Sequence, residues 1–322
     1  MRLGRTEFLW FHIIPLVPSL LITIFILYHL LKNRALRNAL NNHVIILMLA
    51  FGLILELTDT VWFIHFYRTG QPVSSTPTFC LAWAYIDSTL FVSITLLMTW
   101  ASIERHILIF HPHWFETKIK CFCFHYVPLF VTSVWPLIFY LIMLVILPCD
   151  ALFNYERRLC GHYDCMNTIA WVAMFDSVVH YMVPAFIIVI FSGTLFLRVI
   201  YHKYQVRRRI EWRNYKKMSF QLLSISLVYM IIEAPPMILN AAYLAGLSWD
   251  VGADFYANML DLSLWVILFT PFASTTSLPD FNAKCRKLFC FWKTRNTIHP
   301  AVITNTERKP ASTRRSFRQS FL

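Results

Sequence analysis

Seven apolar stretches recur along the chain, each about twenty residues or longer and separated by short polar segments. They cover residues 10–31, 43–66, 80–105, 124–147, 169–200, 218–244 and 255–278. A helix rises about 1.5 Å per residue, so about twenty apolar residues cross the hydrocarbon core of a bilayer. The pattern predicts an all-α fold, a seven-helix transmembrane bundle. Prolines punctuate five of the stretches, at Pro15 and Pro18, Pro136, Pro184, Pro235-Pro236 and Pro271. Prolines are tolerated in membrane helices, where neighbouring groups re-satisfy the freed carbonyls. The third stretch opens on Cys80 and closes on Glu104-Arg105-His106. A charged pair at the end of an apolar run belongs at the water boundary, and this span is expected to be the central strut.

Composition agrees with that pattern. Of 322 residues, 57% are hydrophobic and 14% charged, with mean hydropathy +0.54. A soluble domain carries about 25% charged residues. The net charge of +12 would suit nucleic acid were it clustered at random. Instead, 24 of the 29 bases fall in the loops 32–41, 105–123 and 198–217 and in the tail from 281. By the positive-inside rule those segments face the cytoplasm, so the N-terminus is outside and the C-terminus inside. Anionic inner-leaflet lipid is then the partner of the basic surface, and nucleic acid is not. The apolar run from Phe8 has no small-residue cleavage site after it, so the first span is expected to serve as its own insertion signal.

Four cysteines, Cys80, Cys149, Cys160 and Cys165, fall in the outer set, where oxidation is permitted; they allow three pairings. Cys285 and Cys290 lie beside Lys284, Arg286 and Lys287 on the inner side and are candidates for palmitoylation. There is no Gly-rich phosphate loop, no His-Glu-x-x-His and no Gly-x-Ser-x-Gly. An enzyme is therefore not expected, nor a metal or other cofactor. In Cys160-Gly-His-Tyr-Asp-Cys165, disulfide chemistry is favoured over zinc, since no second ligand pair accompanies it.

The order and spacing of these anchors resemble the rhodopsin-like (class A) G protein-coupled receptors over about residues 10–292. Cys80 and Arg105 lie 25 residues apart, as the disulfide cysteine and the arginine of the Asp/Glu-Arg-Tyr motif do in that family. Trp135, Pro184, and Pro235 or Pro236 match anchors of spans four, five and six. Thr270-Pro271-Phe272-Ala273-Ser274 stands where the family has Asn-Pro-x-x-Tyr, and residues 281–292 resemble its short amphipathic helix on the inner membrane face. The chain departs from the family at His106, Thr270 and Ser274, and span six has no Trp two residues before either proline. The chain thus resembles a divergent member of that family.

The resemblance implies a plasma-membrane receptor that binds an extracellular ligand in the outer half of the bundle and activates a heterotrimeric G protein at the inner face. It divides the chain into an extracellular N-terminus (1–9), the seven-span domain (10–280), the juxtamembrane helix (281–292) and a basic cytoplasmic tail (293–322). It makes Cys80 a disulfide partner, with Cys165 or Cys160 as its mate. Glu104, Arg105 and His106 become the G-protein-coupling residues; Pro235, Pro236, Pro271 and Ser274 become the activation switch. Asp87, seven residues after Cys80, stands where amine-binding relatives carry the acid that pairs with an ammonium.

Intramembrane acids are costly and point to function. Asp87, Phe91, Asp176, His180, Glu233 and Asp261 are the candidate ligand-binding residues. So many acids in the outer half suit a cationic ligand, or proton sensing through His180. The alternative is an ion- or proton-coupled transporter or channel that uses the embedded acids, Glu56 and Asp59 among them.

Overall fold

The computed structural model describes residues 4–146, 153–161, 169–205, 224–275, 278 and 281. The described residues up to Leu278 form one compact unit. Residues 279–322 are a second, of which only Phe281 is described. The juxtamembrane helix, the tail, Cys165, Cys285 and Cys290 thus lie outside the described residues.

Among the described residues, six helices are long and apolar enough to cross a bilayer. They are α1 (Arg5–Lys32), α2 (Leu40–Thr69), α3 (Pro77–Leu108), α4 (Lys118–Ile146), α5 (Trp171–Arg198) and α7 (Ala253–Ser274). The seventh, α6, is the pair Ser224–Ile232 and Ala234–Leu244, bent by 41°. The bend falls at Glu233, directly before Ala234-Pro235-Pro236. Neither proline has an N–H, so the carbonyls of Ile231 and Ile232 lose their helical donors. No strand occurs among the described residues.

Local chemistry sets the helix ends. Thr76 caps α3, its hydroxyl accepting from the Phe79 amide at 3.4 Å, and Pro77 follows at the first helical position, where a missing N–H costs nothing. Gly70 closes α2 in the left-handed conformation, φ +78°. In α5 the turn Ser177–Met182 widens to π geometry just before Pro184. Pro184 cannot donate to the carbonyl of His180, and a π turn lets the chain pass that gap.

α3 is the strut. It packs against α2, α4 and α5, and 67% of its apolar window is buried, against 28% for α1 and for α4. Trp83, Leu97 and Met98 of α3 are fully enclosed, with Phe63, Ile188 and Tyr229 in the same core. The outward faces are apolar: Val17, Leu21 and Ile24 on α1, Phe130 and Ile138 on α4, Phe186 and Ile190 on α5. Apolar patches of this extent suit contact with lipid, not water. Between helices, hydroxyls serve as glue, as where Ser192 of α5 meets Ser226 of α6 at 2.9 Å.

Candidate functional site

At one end of the bundle lies a cavity of about 230 Å³, walled by α3, α5, α6 and α7. Pockets for small molecules usually span about 300–1,000 Å³, so this one suits a small ligand. Asp87 and Phe91 line it from α3, Asp176, Ser177 and Tyr181 from α5, and Glu233, Met237 and Asn240 from α6. Tyr256, Leu260 and Ser263 of α7 and Trp249 of the preceding loop complete the wall. Acids among aromatic faces are what an organic cation binds, by charge and by ring quadrupole together.

Each acid is held differently. Asp176 accepts from the Tyr140 hydroxyl of α4 and from His180 Nδ1, both at 2.7 Å. Asn240 of α6 donates to the Ser177 hydroxyl at 2.9 Å and ties α5 to α6 across the cavity. Asp87 is 5% exposed and lies within electrostatic reach of Asp59 on α2 and of Glu233 on α6. Trp83 Nε1 donates to Asp59 at 2.7 Å. Facing carboxyls repel unless a cation or a shared proton lies among them.

The cation is the chain's own. Arg158, in the loop between α4 and α5, lines the cavity and pairs with Asp261 at 3.2 Å. Its guanidinium lies over the Phe63 ring, 4.8 Å from the centroid. Tyr67 donates to the same Asp261 oxygen at 2.8 Å. The loop is anchored where Cys160 is bonded to Cys80, with Cα atoms 5.8 Å apart. Of the two mates expected for Cys80, the structure joins Cys160.

The predicted ligand residues therefore divide. Asp87, Phe91, Asp176 and Glu233 converge on one cavity. Asp261 sits at its edge and reaches it through Arg158. His180 is not a lining residue. It is fully buried toward α4, stacked edge-on to Phe139 at 4.7 Å, and its Nε2 accepts from Trp135 at 3.0 Å. Since Nε2 accepts, Nδ1 carries the proton that goes to Asp176. Through these two bonds His180 ties Trp135 of α4 to Asp176 of α5.

At the other end of α3, Glu104 and Arg105 are both buried, at 1% and 3% exposure. The Glu104 carboxylate is bound by His125 of α4, whose other nitrogen meets His43 Nδ1 of α2 at 2.8 Å. This three-residue chain across α2, α4 and α3 holds the Glu104 carboxylate, which also lies within electrostatic reach of Arg105. His106 points to α5, with its Nε2 3.4 Å from Arg198. Pro271 and Ser274 are buried in α7. Pro271 borders a hollow of about 10 Å³, room for one water, together with Gly52, Thr23 and Glu56. Ser19 donates to Glu56 there.

Among the residues of these sites not singled out from sequence are Arg158, His125, His43 and Tyr256. Only Arg158 left a signal, an arginine two positions before a cysteine that is bonded to the head of α3. Among the described residues no group of three His, Cys, Asp or Glu is placed to hold a metal ion. In comparison with known proteins, the family model described as "7 transmembrane receptor (rhodopsin family)" matches residues 23–286. No curated protein matches the chain.

Proposed function

This chain belongs to the rhodopsin family of seven-transmembrane receptors, and from that premise we propose that it binds a small cationic extracellular ligand in the cavity between α3, α5, α6 and α7 and couples to a heterotrimeric G protein at the opposite end of α3. The observation that carries this reading is that one buried helix holds both ends. Asp87 and Phe91 face the cavity, and Glu104 and Arg105 lie five turns further along the same strut.

The ligand acts by differential affinity. Its positive group meets Asp87, Glu233 and Asp176, and the aromatic walls cover its apolar part. The bent α6 meets the cavity through Glu233, Met237 and Asn240, so a ligand that draws these inward biases the bend at Pro235-Pro236, with Pro271 and Ser274 in α7 as the second moving element. At the far end, release of Arg105 offers a planar fork of donors to the G protein. In this reading the N-terminus is extracellular, the C-terminus cytoplasmic, and the receptor sits in the plasma membrane. In the same reading Cys285 and Cys290 are lipid-bearing positions.

The test is G-protein signalling in transfected cells at matched surface expression, comparing the natural chain with Arg105→Ala and Asp87→Asn. Signal that Arg105→Ala abolishes, and whose response to organic cations Asp87→Asn weakens, supports the reading. An ionic current that persists in Arg105→Ala would turn the acids into a permeation path and the protein into a channel or transporter.

A further inference from the structure

The acids of the outer cavity already hold a guanidinium. We propose that Arg158 is a tethered occupant of a guanidinium subsite formed by Asp261 and Phe63, so that a cationic ligand reaches Asp261 only by displacing it.

The loop that carries Arg158 is built to keep it there. Cys160, two residues on, is bonded to Cys80 at the head of α3. The Asn154 amide donates to the Cys160 carbonyl at 2.8 Å, and the Cys160 amide donates to the Arg157 carbonyl at 3.0 Å. Leu159 and Cys160 are fully buried at φ +49° and +56°, a left-handed conformation that non-glycine residues adopt only where surroundings impose it. The backbone on either side of Arg158 is thus fixed, and only the side chain can leave.

The side chain has the contacts an external guanidinium would seek. A carboxylate lies at 3.2 Å and an aromatic face at 4.8 Å. The carboxylate is held in place by the Tyr67 hydroxyl. Asp59 and Glu233 lie within electrostatic reach of the same charge. The side chain is 23% exposed, so exchange with a molecule entering the cavity needs no unfolding.

Removing the side chain should leave a vacant, preorganised subsite that a small guanidinium fills. The full chain is purified in lipid nanodiscs, and its thermal midpoint is followed against ethylguanidinium, ethylammonium and neutral ethylurea. Arg158→Ala should melt several degrees below the natural chain. Ethylguanidinium at millimolar concentration should raise that midpoint saturably, ethylurea should not, and the natural chain should need at least about tenfold more of the cation for the same shift. Arg158→Ala with Asp261→Asn should lose the response. If Arg158→Ala does not fold, its surface yield in cells grown with ethylguanidinium replaces the midpoint as readout. No recovery of yield, an equal response in the natural chain, or an equal response to ethylurea overturns the proposal. No signalling is read, so this outcome stands apart from whether the receptor couples as proposed; only the displacement by a ligand rests on that reading.

Discussion

Replacing His125 by Phe should destabilise the protein through Glu104, although the two lie on different helices. His125 is fully buried and Glu104 is 1% exposed, and the imidazole donates to the carboxylate. Phe keeps the ring volume and removes the donor. A buried polar group left unsatisfied costs about 1–3 kcal/mol, and more when it is a charged group. About 3 kcal/mol is therefore expected for His125→Phe, roughly a hundredfold in the folded-to-unfolded ratio. Glu104→Leu should cost less, since it strands a ring N–H and not a carboxylate. With both partners apolar neither group is stranded, so His125→Phe with Glu104→Leu should be milder than the sum of the two by about 2 kcal/mol. The assay is denaturant unfolding of the four proteins in the same nanodiscs, read by intrinsic tryptophan fluorescence. If the double variant equals the sum of the singles within about 0.5 kcal/mol, the two groups are not coupled and the reasoning fails. His43→Ala should cost about 1 kcal/mol, because it removes only the outer member of the chain.

The Cys80–Cys160 bond closes a loop of 80 residues, and Cys160→Ala should cost about 2–5 kcal/mol and sharply lower surface expression; peptide mapping without reduction should find Cys80 and Cys160 cross-linked. Asp87→Asn removes one of three neighbouring carboxyls, with Asp59 and Glu233, and should weaken binding of organic cations at least about tenfold, read by thermal shift; unchanged binding would take Asp87 out of the ligand site. Trp135→Phe should cost about 1 kcal/mol by stranding His180 Nε2; unchanged unfolding stability in nanodiscs would show that this bond does not tie α4 to α5. Pro236→Ala returns an N–H to the Ile232 carbonyl and should reduce the 41° bend of α6, measured as spin-label distances across α6.

Much of this architecture was legible in the chain alone. Hydropathy is a local property, and a run of apolar residues must become a helix in lipid because no other backbone there satisfies its own hydrogen bonds. The seven spans follow from it, as does the bend in α6, since proline acts on its own helix. The central place of α3 was readable from Cys80 and from Glu104-Arg105, and the expected inside-out asymmetry from where the bases fall.

What a side chain meets across the bundle was not legible. The α-helical period says which residues share a face, not how each helix is rotated against its neighbour. Asp176 and His180 share a face by spacing, yet one lines the cavity and the other is turned to Trp135 of α4. Glu104 is adjacent to Arg105 in sequence, and its carboxylate is also bound by His125, 21 positions away, because α4 brings a donor into its reach. Arg158 counts from sequence as one of five bases in the outer set. The disulfide that turns its loop inward makes it the cation that faces acids of α2, α6 and α7. Apolar periodicity therefore determined the helices and where they break. Pairings between residues distant in sequence depend on helix rotation and on the path of one loop, and only the tertiary structure decided those.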